Sequence, residues 1–257
     1  METQLTLNDF DCIVFDMDGT LAQSKGPISE KMATLLTTLL TKKKVAVISG
    51  GRWEQFQKQL IQHLDGAPLE NLIILPTTGA TMYRFGHGVW RVVYEESIPL
   101  VERQRICSEL RKALKQSGYH EEETFGDIIE DRKTQITFSG LGAQAPLEKK
   151  LLWDPLQQKR IVIKTLLDHP LHDYTITFGG TTSIDITPKG VDKAYGIEKI
   201  MQHTSIPVQK ILFVGDKLMP GGNDYPATRT GVRVVPVVDE KDTEVFLEEL
   251  LHNKTTV

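Results

Sequence analysis

The apolar positions of this chain follow two alternating regimes. Cys12-Ile13-Val14-Phe15 is an unbroken apolar run that stops at Asp16, the pattern of a strand buried on both faces. After Pro27 the period changes, and Met32, Leu35, Leu36, Leu39 and Leu40 repeat at helical spacing, with Lys42 to Lys44 complementing the dipole at the helix end. Val45 to Ile48 reads as a second buried strand, ending at Ser49-Gly50-Gly51. A helix carrying Trp53, Phe56, Leu60, Ile61 and Leu64 follows, and Leu72 to Leu75 reads as a third strand. Strands and helices alternating through short turns predict a parallel sheet with right-handed crossovers.

The middle of the chain reads differently. Gly86-His87-Gly88 lies between two strand-like runs within Thr81 to Tyr94 and predicts a hairpin. Ile106, Leu110 and Leu114 mark a helix, Asp127 to Ser139 is strand-like, and a second helix is expected from about Pro155 to His169. Two alternating strands follow, Tyr174 to Phe178 and Ser183 to Thr187. The α/β rhythm then returns. Asp192 can cap a helix bearing Ile197, Ile200 and Met201, the strand Ile211 to Val214 ends at Gly215-Asp216, and a strand Val232 to Val238 precedes a helix with Val245, Phe246, Leu247 and Leu250. The prediction is an α/β core built from both ends of the chain, with an α+β domain inserted between them.

Composition narrows the function classes. The 257 residues are 40% hydrophobic, enough for one large or two modest domains. A net charge of −4 gives no general attraction for nucleic acid or anionic membranes, so neither is an expected partner. No apolar run approaches the ~20 residues of a membrane span. The N-terminal residues do not read as a signal peptide. Cys12 and Cys107 stand in unrelated segments, which points to a reduced, cytoplasmic setting and gives no metal-binding pair.

The polar residues at the strand ends carry the chemistry. In an open parallel sheet, ligands bind beyond the carboxyl ends of the strands. Asp16-Met17-Asp18-Gly19-Thr20 follows such a strand. One carboxylate there can attack phosphorus, and a second two residues on can protonate a leaving oxygen and then activate the next nucleophile. Gly215-Asp216 and Asn223-Asp224 add two more carboxylates at another strand end. Four acids together need a cation, and Mg²⁺, a hard ion that takes oxygen ligands, suits them. Ser49 and Gly50 offer a hydroxyl and a backbone N–H to a phosphate oxygen, and Lys193 can neutralise the transferring phosphoryl group.

In this order the four motifs resemble the haloacid dehalogenase superfamily, type IIB (Cof-like). The resemblance implies a Rossmann-like core of residues 1–82 and 186–257 and an inserted cap of 83–185. It implies Asp16 as nucleophile, Asp18 as acid–base, and Ser49 and Lys193 as phosphoryl-binding groups. Mg²⁺ would be held by Asp16, the Asp18 backbone carbonyl and Asp216, with Asp224 supporting. Asp216-Lys217 followed by Pro220-Gly221-Gly222-Asn223-Asp224, and Gly179-Gly180-Thr181-Thr182-Ser183-Ile184-Asp185, are similar to stretches of the eukaryotic-type phosphomannomutase branch. In that branch the equivalents of Arg132, Ser183 and Asp185 contact a sugar phosphate. A homodimer paired through the cap is an expectation carried by the resemblance alone.

One departure bears on activity. Ser139-Gly140-Leu141-Gly142-Ala143 places alanine where the mutases have a second arginine that grips a distal phosphate. Losing a guanidinium removes a charge-assisted contact of about 1.5–3 kcal/mol, or one to two powers of ten in affinity. The reading is therefore a Mg²⁺-dependent phosphatase acting on a small sugar phosphate, with phosphomannomutase as the alternative. A silent sugar-phosphate sensor on this fold would be expected to lack Asp16, Asp18 or Lys193, and this chain has all three.

Overall fold

In the computed structural model, which describes residues 5–252, β1 (Cys12–Phe15) lies inside a seven-stranded sheet. The other strands are β2 (Lys44–Ile48), β3 (Leu72–Leu75), β4 (Thr81–Gly86), β5 (Val89–Glu95), β10 (Ile211–Gly215) and β11 (Arg233–Pro236). The order is β11-β10-β1-β2-β3-β4-β5, and the five strands from β11 to β3 are parallel. Every residue of β1 is fully buried, because alternate side chains feed two cores. Ile13 and Phe15 join Val45 and Val47 against α1 (Glu30–Leu40) and α7 (Glu240–Leu251). Cys12 and Val14 join Ala46 and Ile48 against α6 (Lys193–Thr204). Each large side chain so buried contributes about 1.5–3 kcal/mol.

Local signals explain the element ends. Ser29 caps α1 by accepting the Met32 N–H, and Asp192 caps α6 by accepting those of Ala194 and Tyr195. The expected second helix is shorter than its apolar spacing implied. α2 covers Trp53–Gln59, and a 3₁₀ turn over Ile61–His63 continues the chain. The Gln59 carbonyl accepts the Ile28 N–H at 2.9 Å, so it is spent outside the helix.

A second unit spans Glu95–Val191. Its sheet has the order β6-β7-β9-β8, with β6 (Ile129–Asp131), β7 (Ile136–Ser139), β8 (Tyr174–Gly179) and β9 (Ser183–Pro188) all antiparallel. Ile136, Phe138, Ile184 and Ile186 pack with Ile106 and Leu110 of α3 (Leu100–Gln116) and with Ile163 and Leu167 of α5 (Gln158–Asp168). Alternation leaves Thr137, Ser139, Ser183 and Asp185 on the opposite face.

The units divide after Tyr94 and after Val191, whereas the sequence reading placed the cap at 83–185. At the first boundary the difference is the β4–β5 hairpin, which joins the large sheet because β4 pairs with β3. A further helix, α4 (Leu147–Trp153), was not anticipated, and α5 begins later than Pro155. The buried positions of α4 are Lys150 and Trp153 while Leu151 and Leu152 are exposed, so its hydrophobic pattern carries no helical signal. No helix among the described residues is long and apolar enough to cross a membrane.

Candidate active site

Parallel register brings three strand ends together. Phe15 is aligned with Val214 of β10 and with Val47 of β2, so Asp16, Asp216 and Ser49 all emerge at the carboxyl edge. Asp16 is 2% exposed, and its N–H donates to the Val214 carbonyl at 3.1 Å. Lys193, 1% exposed, enters from the first turn of α6. Its ammonium donates to Asp16 Oδ1 at 2.5 Å and to Asp224 Oδ1. Asp224 is fully buried, and its second oxygen accepts the Lys217 N–H at 2.9 Å, which folds the Asp216–Asp224 loop back on itself. Lys217 Nζ lies 2.9 Å from Asp216 Oδ2.

Carboxylate oxygens of Asp16, Asp216 and Asp224 all fall within 4.8 Å of one another. Burial pushes the Asp16 carboxyl up to about 7, against the pull of Lys193, with Asp224 and Asp216 adding to the rise. Asp216 is raised for the same first reason, desolvation, which Lys217 opposes. Burial disfavours the charge on Lys193, but Asp16 and Asp224 outweigh it and hold its pKa above the ordinary lysine value. Asp216 Oδ1 and Asn223 Oδ1 are buried without a hydrogen-bond partner among the described residues. Crowded carboxylates and orphaned oxygen acceptors fit a hard divalent cation such as Mg²⁺. Gly19 is required here: its φ is +90°, and a Cβ would stand 2.6 Å from Asp216 Oδ2.

Asp18 is a different case. Its carboxylate is not among the clustered oxygens, and Oδ1 instead accepts the Lys25 N–H at 2.8 Å and Gln59 Nε2 at 3.2 Å. Of the four acids named as metal ligands, the structure clusters three side chains, and the Asp18 carboxylate is not one of them.

Ser49 is 5% exposed at the end of β2, and its hydroxyl accepts the Gly51 N–H at 3.3 Å. The Ser49 and Gly51 carbonyls accept the N–H groups of Thr78 and Thr77, each at 2.9 Å. Those two buried threonines have φ of +61° and +50°. Left-handed backbone is costly for β-branched residues, and here it buttresses the loop that holds Ser49 and Gly50. Gly79 marks a turn here, but the two threonines before it are residue types that disfavour the backbone they adopt, so this support was not legible in the sequence.

The remaining expected residues lie on the smaller sheet or, for Arg132, just after its strand β6. Asp185 is 4% exposed, and its Oδ1 accepts Thr137 Oγ1 at 2.8 Å and Gln135 Nε2 at 2.9 Å. Ser183 faces Ser139 across the strand pair, hydroxyl to hydroxyl, at 3.3 Å. Arg132 donates to Glu130 at 2.5 Å. Gln135 and Thr137 were missed as partners of Asp185, although register pairs Thr137 with Asp185 once the strands are known. The Ala143 carbonyl accepts Lys150 Nζ at 3.1 Å, and that lysine is buried.

Known proteins resemble this arrangement. A family model of haloacid dehalogenase-like hydrolases matches residues 13–226. A phosphomannomutase of Encephalitozoon cuniculi is 27% identical over 230 residues, 82% of each chain. Phosphomannomutase 1 of Homo sapiens is 24% identical over 260 residues, 93% of each chain. Among solved structures, an N-terminally truncated, IMP-bound IMP-nucleotidase of Plasmodium falciparum superposes with a TM-score of 0.71 at 19% identity, over 96% of this chain and 69% of that one. A haloacid dehalogenase-like hydrolase from Bacteroides thetaiotaomicron gives 0.62 at 15% identity, over 94% and 99%. The structural likenesses show the fold.

Proposed function

This chain belongs to the haloacid dehalogenase-like hydrolase family, and from that premise we propose that it is a phosphatase that cleaves a small sugar phosphate through an aspartyl-phosphate on Asp16. The observation that carries the proposal is the buried Asp16 carboxylate, held 2.5 Å from the Lys193 ammonium at the carboxyl end of β1. An Asp16 oxygen bonds to phosphorus as the bond from phosphorus to the sugar oxygen breaks, and Asp18 gives that oxygen its proton. Asp18 then takes a proton from water, whose oxygen bonds to phosphorus and releases phosphate and the restored Asp16 carboxylate. Lys193, Ser49 and the Gly50 backbone hold the phosphoryl oxygens throughout. Asp16, Asp216, Asp224 and the Asp18 carbonyl would hold Mg²⁺, which when bound offsets negative charge on the carboxylates and the phosphoryl group. Arg132, Ser183 and Asp185 belong to the sugar's recognition surface in this reading.

The choice of water over a second sugar hydroxyl rests on Ala143, which takes a guanidinium away from any distal phosphate. The phosphomannomutase reading is favoured by one observation: relatives bearing that name match most of the chain. The deciding experiment supplies Mg²⁺ and mannose 1-phosphate, with and without a trace of hexose 1,6-bisphosphate, and follows phosphate and hexose 6-phosphate together. Phosphate release independent of bisphosphate is expected. Hexose 6-phosphate formed only with bisphosphate would establish the mutase instead.

A further inference from the structure

Gln59 is the last residue of α2, only 2% exposed, and its side chain reaches across to the loop that follows β1. Nε2 donates to the Gly26 carbonyl at 2.7 Å and to Asp18 Oδ1 at 3.2 Å. A backbone carbonyl can only accept, so Gly26 fixes the orientation of the amide and ensures that Asp18 meets an N–H. The Gln59 carbonyl also accepts the Ile28 N–H, and three bonds therefore tie the end of α2 to residues 18–28. The opposite side of the amide is poorly served: Oε1 is buried with no hydrogen-bond partner among the described residues. An orphaned buried acceptor is destabilising, and an apolar side chain of this length would avoid it. The amide's evident use is its donor edge.

We propose that Gln59 is a positioning residue for Asp18, holding one carboxylate oxygen so that the other exchanges the proton with the leaving group and then with water. Both donors to Asp18, Gln59 Nε2 and the Lys25 N–H, fall on Oδ1. A carboxylate anchored through one oxygen keeps a single pivot, and the free oxygen sweeps a short arc rather than a wide one. The same helix begins just after Ser49-Gly50-Gly51, so α2 links the phosphoryl-binding loop at its start to the acid–base residue at its end. The inference rests on the assignment of Asp18 as acid–base, and the test separates the two.

A sugar leaving group needs its proton, whereas 4-nitrophenolate departs without one. Acid-quenched rapid mixing with Mg²⁺ would measure phosphoenzyme formation from mannose 1-phosphate and from 4-nitrophenyl phosphate in the wild type, Gln59→Leu, Gln59→Met and Asp18→Asn. Loss of one donor to the carboxylate is expected to slow formation from the sugar phosphate by about tenfold in both Gln59 variants, with the aryl phosphate within about twofold and KM little changed. Asp18→Asn is expected to show the same selectivity, more strongly. Equal slowing on both substrates in folded Gln59 variants, beside a selective Asp18→Asn, would overturn the role of Gln59 alone. An unselective Asp18→Asn would overturn the acid–base assignment and the inference with it. Gln59→Met keeps the length and burial of the side chain without a donor, and it keeps the test open if the leucine variant fails to fold.

Discussion

Lys193 Nζ and Asp16 Oδ1 stand 2.5 Å apart, on side chains 1% and 3% exposed, and Asp224 completes the buried triad. Breaking a buried ion pair from one side leaves an uncompensated charge, at a cost of about 3–5 kcal/mol. Lys193→Met leaves Asp16 and Asp224 with no ammonium between them. It is expected to lose about that much stability in urea titrations without divalent cation, and Mg²⁺ is expected to restore part of it. Turnover is expected to fall by about 10²–10³-fold, as when one preorganised electrostatic contact is lost. Unchanged stability in the absence of metal would mean the triad is not charged as described.

The raised Asp16 carboxyl makes stability depend on pH. Its folded value of about 7 exceeds the ordinary 3.8, so between those values the folded protein holds a proton that the unfolded chain has lost. Stability from this group is fully present below the lower value and is lost as pH rises through the upper one. A divalent cation favours the ionised form and opposes that loss. The rise in Tm on adding Mg²⁺ is therefore expected to be larger at about pH 8 than at about pH 5. An equal rise at both, measured by scanning calorimetry, would contradict the placement of the ion beside Asp16.

Much of this site could be read from the chain itself, because β1 and β10 are apolar runs that each stop at an acid, and parallel register puts those stops together. What lay hidden depends on distant backbone. Gln59 meets Asp18 across 41 positions, and nothing in its local sequence marks that contact. The Thr77–Thr78 turn was hidden because its residue types disfavour the backbone they adopt. α4 was hidden by its exposed leucines, and the cap boundary by a hairpin whose partner strand could not be named in advance.

Thr137 and Gln135 donate to Asp185 on the polar face of the smaller sheet. If it orients the sugar, Asp185→Asn should raise KM for the sugar phosphate by about tenfold and leave 4-nitrophenyl phosphate hydrolysis within about twofold, the scale of one charge-assisted hydrogen bond. A parallel loss on both substrates would assign Asp185 to the fold of the sheet rather than to recognition.

Ala143→Arg returns the guanidinium that the mutase branch carries. Affinity for hexose 1,6-bisphosphate, measured by calorimetry with the Asp16→Asn protein as background, is expected to rise by about one to two powers of ten. No gain would show that this loop does not meet a distal phosphate in this enzyme.

The central claim is that Asp16 carries the phosphoryl group, and borohydride trapping tests it most directly. Enzyme turning over a sugar phosphate with Mg²⁺ is quenched in acid, reduced with borohydride and digested, so that any aspartyl-phosphate appears as homoserine by mass spectrometry. Homoserine at position 16, absent from Asp16→Asn, is the expected result. Homoserine at another aspartate, or turnover that persists in purified Asp16→Asn, would contradict the account.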